Sequence, residues 1–111
     1  MPPTAIPIEV VPYQGQISIT DSLVAASASM SFINNGYTVL VLSTGAVTPT
    51  LTISSVEGDV PGTSDISGAL TANKVTMYGP FQPLYWNQGG SVLVTLSNAT
   101  SVQVACFSFQ L

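Results

Sequence analysis

The sequence predicts an all-β chain, a single-domain antiparallel β-sandwich or jelly roll of about eight strands. Three observations carry this. Apolar residues alternate with period two almost throughout. Turn signals rich in Gly, Asn, Pro and Ser recur every 8–12 residues or so, the spacing expected of a sandwich or barrel. No stretch shows sustained helical periodicity.

The elements follow in order. "IPIEVV" alternates Ile6, Ile8 and Val10, but Pro7 and Pro12 restrict it to a sheet edge or an extended arm. Met1–Gly15 is therefore read as a Pro-rich N-terminal arm or edge strand, and residues 16–111 as the sandwich domain. "QISIT" alternates Ile17 and Ile19. "ASASMSF" puts Ala26, Ala28, Met30 and Phe32 on one side and Ser27, Ser29 and Ser31 on the other. "NNG" at Asn34–Gly36 is a hairpin signal, since Asn and Gly tolerate the positive φ of a primed turn. "YTVLVL" is apolar on both faces, as expected of a central covered strand. "TPTLTISSV" is the next strand, with Leu51 and Ile53 inward. Glu57–Gly68 reads as a long polar loop. "LTANKVTMY" reads as a strand pair around a tight turn at Ala72-Asn73-Lys74, and "SVLVTL" and "SVQVACFSFQL" as closing strands joined at Ser97–Ser101.

Charge excludes several functions. The 111 residues include one Lys, no Arg and no His against five acids. Such a chain cannot neutralise a row of phosphates, so no nucleic-acid partner is expected. A polybasic membrane contact fails for the same reason, and no run approaches the roughly 20 apolar residues of a membrane helix, so no membrane partner is expected either. The start has no basic n-region or long apolar run and is not read as a signal peptide. Charged residues make up only 5% of the chain, where a freely soluble monomer has several times more, and that points to a surface covered by partners.

Catalytic constellations are scarce. Without His there is no Ser-His-Asp or Cys-His arrangement. Cys106 is the only cysteine and lies between apolar residues, so it reads as a buried thiol. Glu57, Asp59 and Asp65 could approach one another, but they match neither an EF-hand nor a marked carboxylate pair. No enzyme activity, cofactor or metal is expected. Asn98-Ala99-Thr100 spells a glycosylation acceptor and is read as turn chemistry.

The segment "TMYGPFQPLYWNQGG" holds four of the nine aromatic residues: Tyr78, Phe81, Tyr85 and Trp86. Phe81 after the rigid Gly79-Pro80 corner is expected inside. Tyr85 and Trp86, if extended, point to opposite faces, which leaves one outside. It is a sugar-stacking platform or an interface anchor. "VQVACFSFQL" places Val102, Val104 and Cys106 on one face and Ala105, Phe107, Phe109 and Leu111 on the other. A strand apolar on both faces suggests cover by a second subunit, hence a homotrimer.

The run from "NNGYTVLVLSTG" through "PTLTISSV", then "ALTANKVTMYGPFQPLYWNQ" and "GSVLVTLSNATSVQVACFSF", resembles the head decoration (cement, or minor capsid) proteins of tailed bacteriophages. Those proteins carry a similar strand, an Ala-Gly-Lys-like turn, Gly-Pro-Phe, and an aromatic followed by Asn and Gln. The likeness covers Asn34–Phe109. Here "ANK" replaces the commoner turn and "YWNQ" adds a Trp. The resemblance implies a structural virion protein, made in the host cytoplasm and seated on the capsid outer surface. It implies a trimer that stabilises contacts between copies of the major capsid protein. The interface candidates are Ile6, Ile8, Val10, Tyr85, Trp86, Phe107 and Phe109. The rival reading is a carbohydrate-binding module of a phage tail or secreted protein, and a small hydrolase is a distant third.

Overall fold

The computed structural model describes residues 3–12, 16–56 and 65–109. Among these are ten strands in two facing sheets and two single helical turns. The strands are β1 Thr4–Ala5, β2 Ile8–Val11, β3 Val24–Ala25, β4 Ser29–Ile33, β5 Thr38–Thr44, β6 Thr50–Ile53, β7 Ile66–Ala69, β8 Val75–Tyr78, β9 Ser91–Leu96 and β10 Val102–Phe109. The turns of helix are α1 Ile19–Ser22 and α2 Pro83–Trp86. The first sheet runs β1-β4-β9-β6-β7. The second runs β2-β10-β5-β8, with β3 also paired to β10.

The sandwich is as predicted, and its details differ from the sequence reading in five places besides the turns. Strand count is ten rather than about eight, with β1 and β3 as short edge pieces that the sequence reading did not give. Two of the pairings, β1–β4 and β2–β10, are parallel. "QISIT" is not a strand: Ile19 begins the helical turn α1, closed by Leu23 N donating to Thr20 O. The strand in "ASASMSF" starts only at Ser29, and Ala28 lies exposed in the bend before it. The end of the predicted polar loop is strand β7, paired antiparallel with β6.

The largest difference concerns the turns. "NNG" joins β4 in the first sheet to β5 in the second, so it is a crossover and not a hairpin. The Ala72–Lys74 turn joins β7 to β8, and the Ser97–Ser101 turn joins β9 to β10, again between sheets. Positive φ at Gly36 (95°) and Asn73 (58°) is real in both. A tight turn chemistry fixes the bend but not whether the next strand pairs or crosses.

The core lies between the sheets. From the first sheet come Met30, Phe32, Leu51, Ile53, Val92, Val94 and Leu96; from the second, Leu40, Leu42, Val102, Val104 and Cys106. Each full burial of such a side chain stabilises by about 1.5–3 kcal/mol. Thr44, also buried, donates its hydroxyl to Thr71 O at 2.6 Å and so ties the β7–β8 crossover to β5.

The N-terminal segment belongs to both sheets. β1 pairs with β4 and β2 with β10, and Ile6 between them is buried in the core at 5% exposure. Thr4–Val11 thus closes one open side of the sandwich, as a strand that changes sheets at Pro7. Tyr13–Gly15 of the predicted arm lie outside the described residues.

Candidate interface

One end of the sandwich is built by the "NNG" crossover and the aromatic segment. Asn34 is its buried centre. Its Nδ2 donates to Phe81 O at 2.9 Å and to Asn87 Oδ1 at 2.7 Å, and its Oδ1 accepts from Gly36 N at 3.0 Å. Asn87 Nδ2 donates back to Asn34 O at 3.0 Å. A buried amide with every group paired holds its loops in a single arrangement. Asn35 works alongside: Oδ1 accepts from Tyr37 N and Thr38 Oγ1, while Nδ2 donates to Ser108 Oγ at 3.1 Å.

The aromatic segment follows from its own residues. Gly79 has φ 110°, and a Cβ there would sit 3.0 Å from the Phe81 ring and 3.1 Å from Thr38 O, so only Gly fits. Phe81 then enters the core, 2% exposed, tilted against Phe32 at 5.6 Å and edge-on to Trp86 at 5.7 Å. Pro83 opens α2, its fixed φ suiting the first helical position, and Asn87 N closes the turn on Pro83 O. Tyr85 and Trp86 are therefore on a helical turn and not extended, yet one of them, Tyr85, does lie outside the core cluster that Trp86 joins. Both are half-buried, with Trp86 against the core. Val56 N donates to Tyr85 O at 2.8 Å and anchors the turn.

Among the described residues, this end exposes several large apolar side chains. Ile33 (70% exposed), Leu84 (62%) and Tyr37 (51%) project from it. Phe109 and Val10 adjoin them, because Phe109 N donates to Tyr37 O and Val10 pairs with Ser108. No Asp, Glu or Lys occurs in 33–37 or 79–90. Ile33 lies on the outer face of the first sheet and Phe109 on that of the second, so these side chains ring the end of the sandwich; exposed apolar groups of this size are of the sort that mark a contact site.

The seven candidate interface residues divide three ways. Val10 and Phe109 are exposed. Ile8, Tyr85 and Trp86 are half-buried. Ile6 and Phe107 are buried within the chain. The apolar outer face of β10, the sequence ground for a trimer, is met inside the molecule: Val39, Val41, Ala105 and Phe107 form a second small core under Val11, Ile17 and Leu23. The sequence reading missed Ile33, Tyr37, Leu84, Val75 and Met77. Ile33 carried a usable signal, since it follows Phe32 in a Ser-lined alternation and so must face outward.

Other singled-out residues lie elsewhere. Cys106 is fully buried, and burial pushes its thiol up to about 12. Asp65 accepts from Ser55 N at 2.9 Å and Ser55 Oγ at 3.1 Å; Glu57 and Asp59 lie outside the described residues. Asn98 Oδ1 accepts from Thr100 N at 2.9 Å, an Asx turn. Comparison of the chain with protein-family models, with curated proteins and with solved structures finds no match.

Proposed function

We propose that the chain is a structural virion protein, a decoration or cement protein that binds the outside of a tailed-phage head and stabilises contacts between major capsid proteins. The observation that carries this reading is the set of large exposed apolar side chains, Ile33, Tyr37, Leu84, Phe109 and Val10, around one end of the sandwich. The resemblance of Asn34–Phe109 to such proteins supplies the partner. Crossovers locked by Asn34 and Asn87 present the patch without loop ordering on docking, which keeps the entropy cost of binding low. The carbohydrate reading gains less support. A stacking platform needs an open ring face, and Trp86 is half-buried with its neighbour Phe81 edge-on to it.

The test is co-sedimentation of the purified chain with heads that lack it, taken from the phage that encodes it. Wild-type protein is expected to saturate at a fixed number of copies per head. Leu84→Asp and Ile33→Asp, both at exposed positions and so expected to fold, bind at least about tenfold more weakly, equivalent to about 1.4 kcal/mol. Absence of saturable binding by the wild type contradicts the proposal.

A further inference from the structure

Of the five asparagines in the chain, only Asn35 is followed by glycine. An Asn-Gly pair is the one most open to deamidation, because a glycine nitrogen has no side chain beside it to hinder attack on the preceding carboxamide. The fold requires both members of the pair. Gly36 has φ 95°, a conformation strained for any other residue. Asn35 Oδ1 accepts from Tyr37 N at 2.9 Å and from Thr38 Oγ1 at 3.2 Å, while its Nδ2 donates to Ser108 Oγ at 3.1 Å. An ionised Asp there keeps the acceptors and loses the donor. The pair is within reach of water, with Asn35 exposed and Gly36 half-buried.

The same hydrogen bonds oppose the reaction. The Gly36 amide must lose its proton before its nitrogen can attack, and that N–H donates to Asn34 Oδ1 at 3.0 Å. Asn34 is not free to swing away, since its own Nδ2 is held by Phe81 O and Asn87 Oδ1. The carboxamide under attack is pinned at both its oxygen and its nitrogen. Ring closure would draw Asn35 Cγ onto Gly36 N and expel Nδ2, which breaks the bond to Ser108 and disturbs the two at Oδ1.

We propose that Asn35-Gly36 is a latent site of spontaneous deamidation, which the hydrogen bonds of the β4–β5 crossover keep closed in the native chain. When the crossover opens, the deprotonated Gly36 nitrogen bonds to Asn35 Cγ, the Cγ–Nδ2 bond breaks, and Nδ2 takes a proton from water and leaves as ammonia. Water then opens the cyclic imide at either carbonyl, giving Asp or isoaspartate at position 35. The product puts a negative charge next to Tyr37, at an end where segments 33–37 and 79–90 hold no Asp, Glu or Lys. Isoaspartate also lengthens the main chain by a methylene between Asn34 and the groups it binds at Gly36. Opening of this crossover thus leaves a permanent covalent mark, and the modified fraction records how long it has been open. The inference stands apart from the capsid reading.

The full chain is incubated in mildly alkaline buffer, native and in guanidinium, and peptide mapping by mass spectrometry follows the amide-to-acid change at each asparagine. In the unfolded chain Asn35 is expected to convert first. In the native chain it is expected to convert at least about tenfold more slowly, since attack waits on local opening. Ser108→Ala and Thr38→Val each remove one of the bonds to Asn35, and each is expected to speed native conversion about two- to tenfold, the worth of one hydrogen bond. Thr44→Val removes a buried hydroxyl bond at the β7–β8 crossover instead and is expected to leave the rate unchanged. Equal acceleration by Thr44→Val, or folded Ser108→Ala and Thr38→Val that convert like the wild type, would overturn the proposal. So would equal rates at Asn35 in native and unfolded wild type, or earlier conversion of another asparagine in the unfolded chain, and this pair of readings decides the matter even if the variants fail to fold.

Discussion

The outer faces of the two sheets are made to opposite specifications. On the first sheet Ser29, Ser31, Thr50, Thr52, Ser91 and Thr95 face outward, with Ile33 and Leu93 as the apolar exceptions, and among the described residues no hydrophobic cluster forms over them. On the second sheet the corresponding face carries Val39, Val41, Ala105 and Phe107, and Gln16–Leu23 with Val11 is laid across it. The cover stops short. Val75 and Met77 on β8 remain open, as do Tyr37 and Phe109 toward the aromatic end. A polar face can end in water. An apolar face must be finished by something, and this chain finishes only part of it with its own residues.

That contrast can be broken by substitution. The largest effect is expected where the N-terminal strand serves both sheets. A chain starting at Gln16 lacks Ile6 and both parallel edge pairings, and burial of Ile6 alone is worth about 2–5 kcal/mol. Set against the 5–15 kcal/mol or so of a typical domain, this loss is expected to abolish the cooperative thermal transition. A truncated chain that melts like the full one contradicts the shared-strand account. Next comes Phe107→Ala under the cover, at about 3–5 kcal/mol by denaturant unfolding, although Phe107 lies outside the main core. Leu23→Ala, which thins the cover itself, is expected to cost about 1–3 kcal/mol, since Leu23 is only half-buried. Ser31→Asp on the bare face of the first sheet is expected to stay within about 0.5 kcal/mol of wild type.

The inner face adds a pH dependence. The native Cys106 thiol is raised from 9.0 to about 12 by burial, so between these values the native state holds a proton that the unfolded state has released. Raising the pH through this window therefore favours unfolding, with a slope of up to about 1.4 kcal/mol per pH unit. The stability is intact below pH 9. Urea midpoints across the window are expected to fall more steeply for wild type than for Cys106→Ala, and equal slopes would contradict the assignment.

What the sequence disclosed follows the same division. Where one face is polar, as in "SMSFI", the alternation assigns Met30 and Phe32 inward without ambiguity. Where both faces are apolar, as in "TVLVL" and "VACFSF", period two says nothing about which side meets the other sheet and which meets a cover. Phe107 was therefore legible as apolar but not as covered by Ile17 and Leu23. The crossovers were hidden for another reason. Asn34 is fixed by groups 47 and 53 residues away, and no local pattern distinguishes that from a hairpin Asn. Of the exposed end, Val10 and Phe109 were found from their apolar character. Leu84 was not, because its exposure depends on the turn of helix that Pro83 starts.

The most direct measurement of the account uses single added thiols and exploits the unreactive Cys106. Leu84→Cys places a thiol on the apolar end and Ser31→Cys places one on the polar face of the first sheet, and each is treated with a maleimide in free and head-bound protein. The account predicts that Leu84→Cys reacts fast when free and becomes protected on heads, while Ser31→Cys on the polar face reacts at similar rates in both. Protection of Ser31→Cys with Leu84→Cys left reactive would contradict the claim that the apolar end is the face that docks.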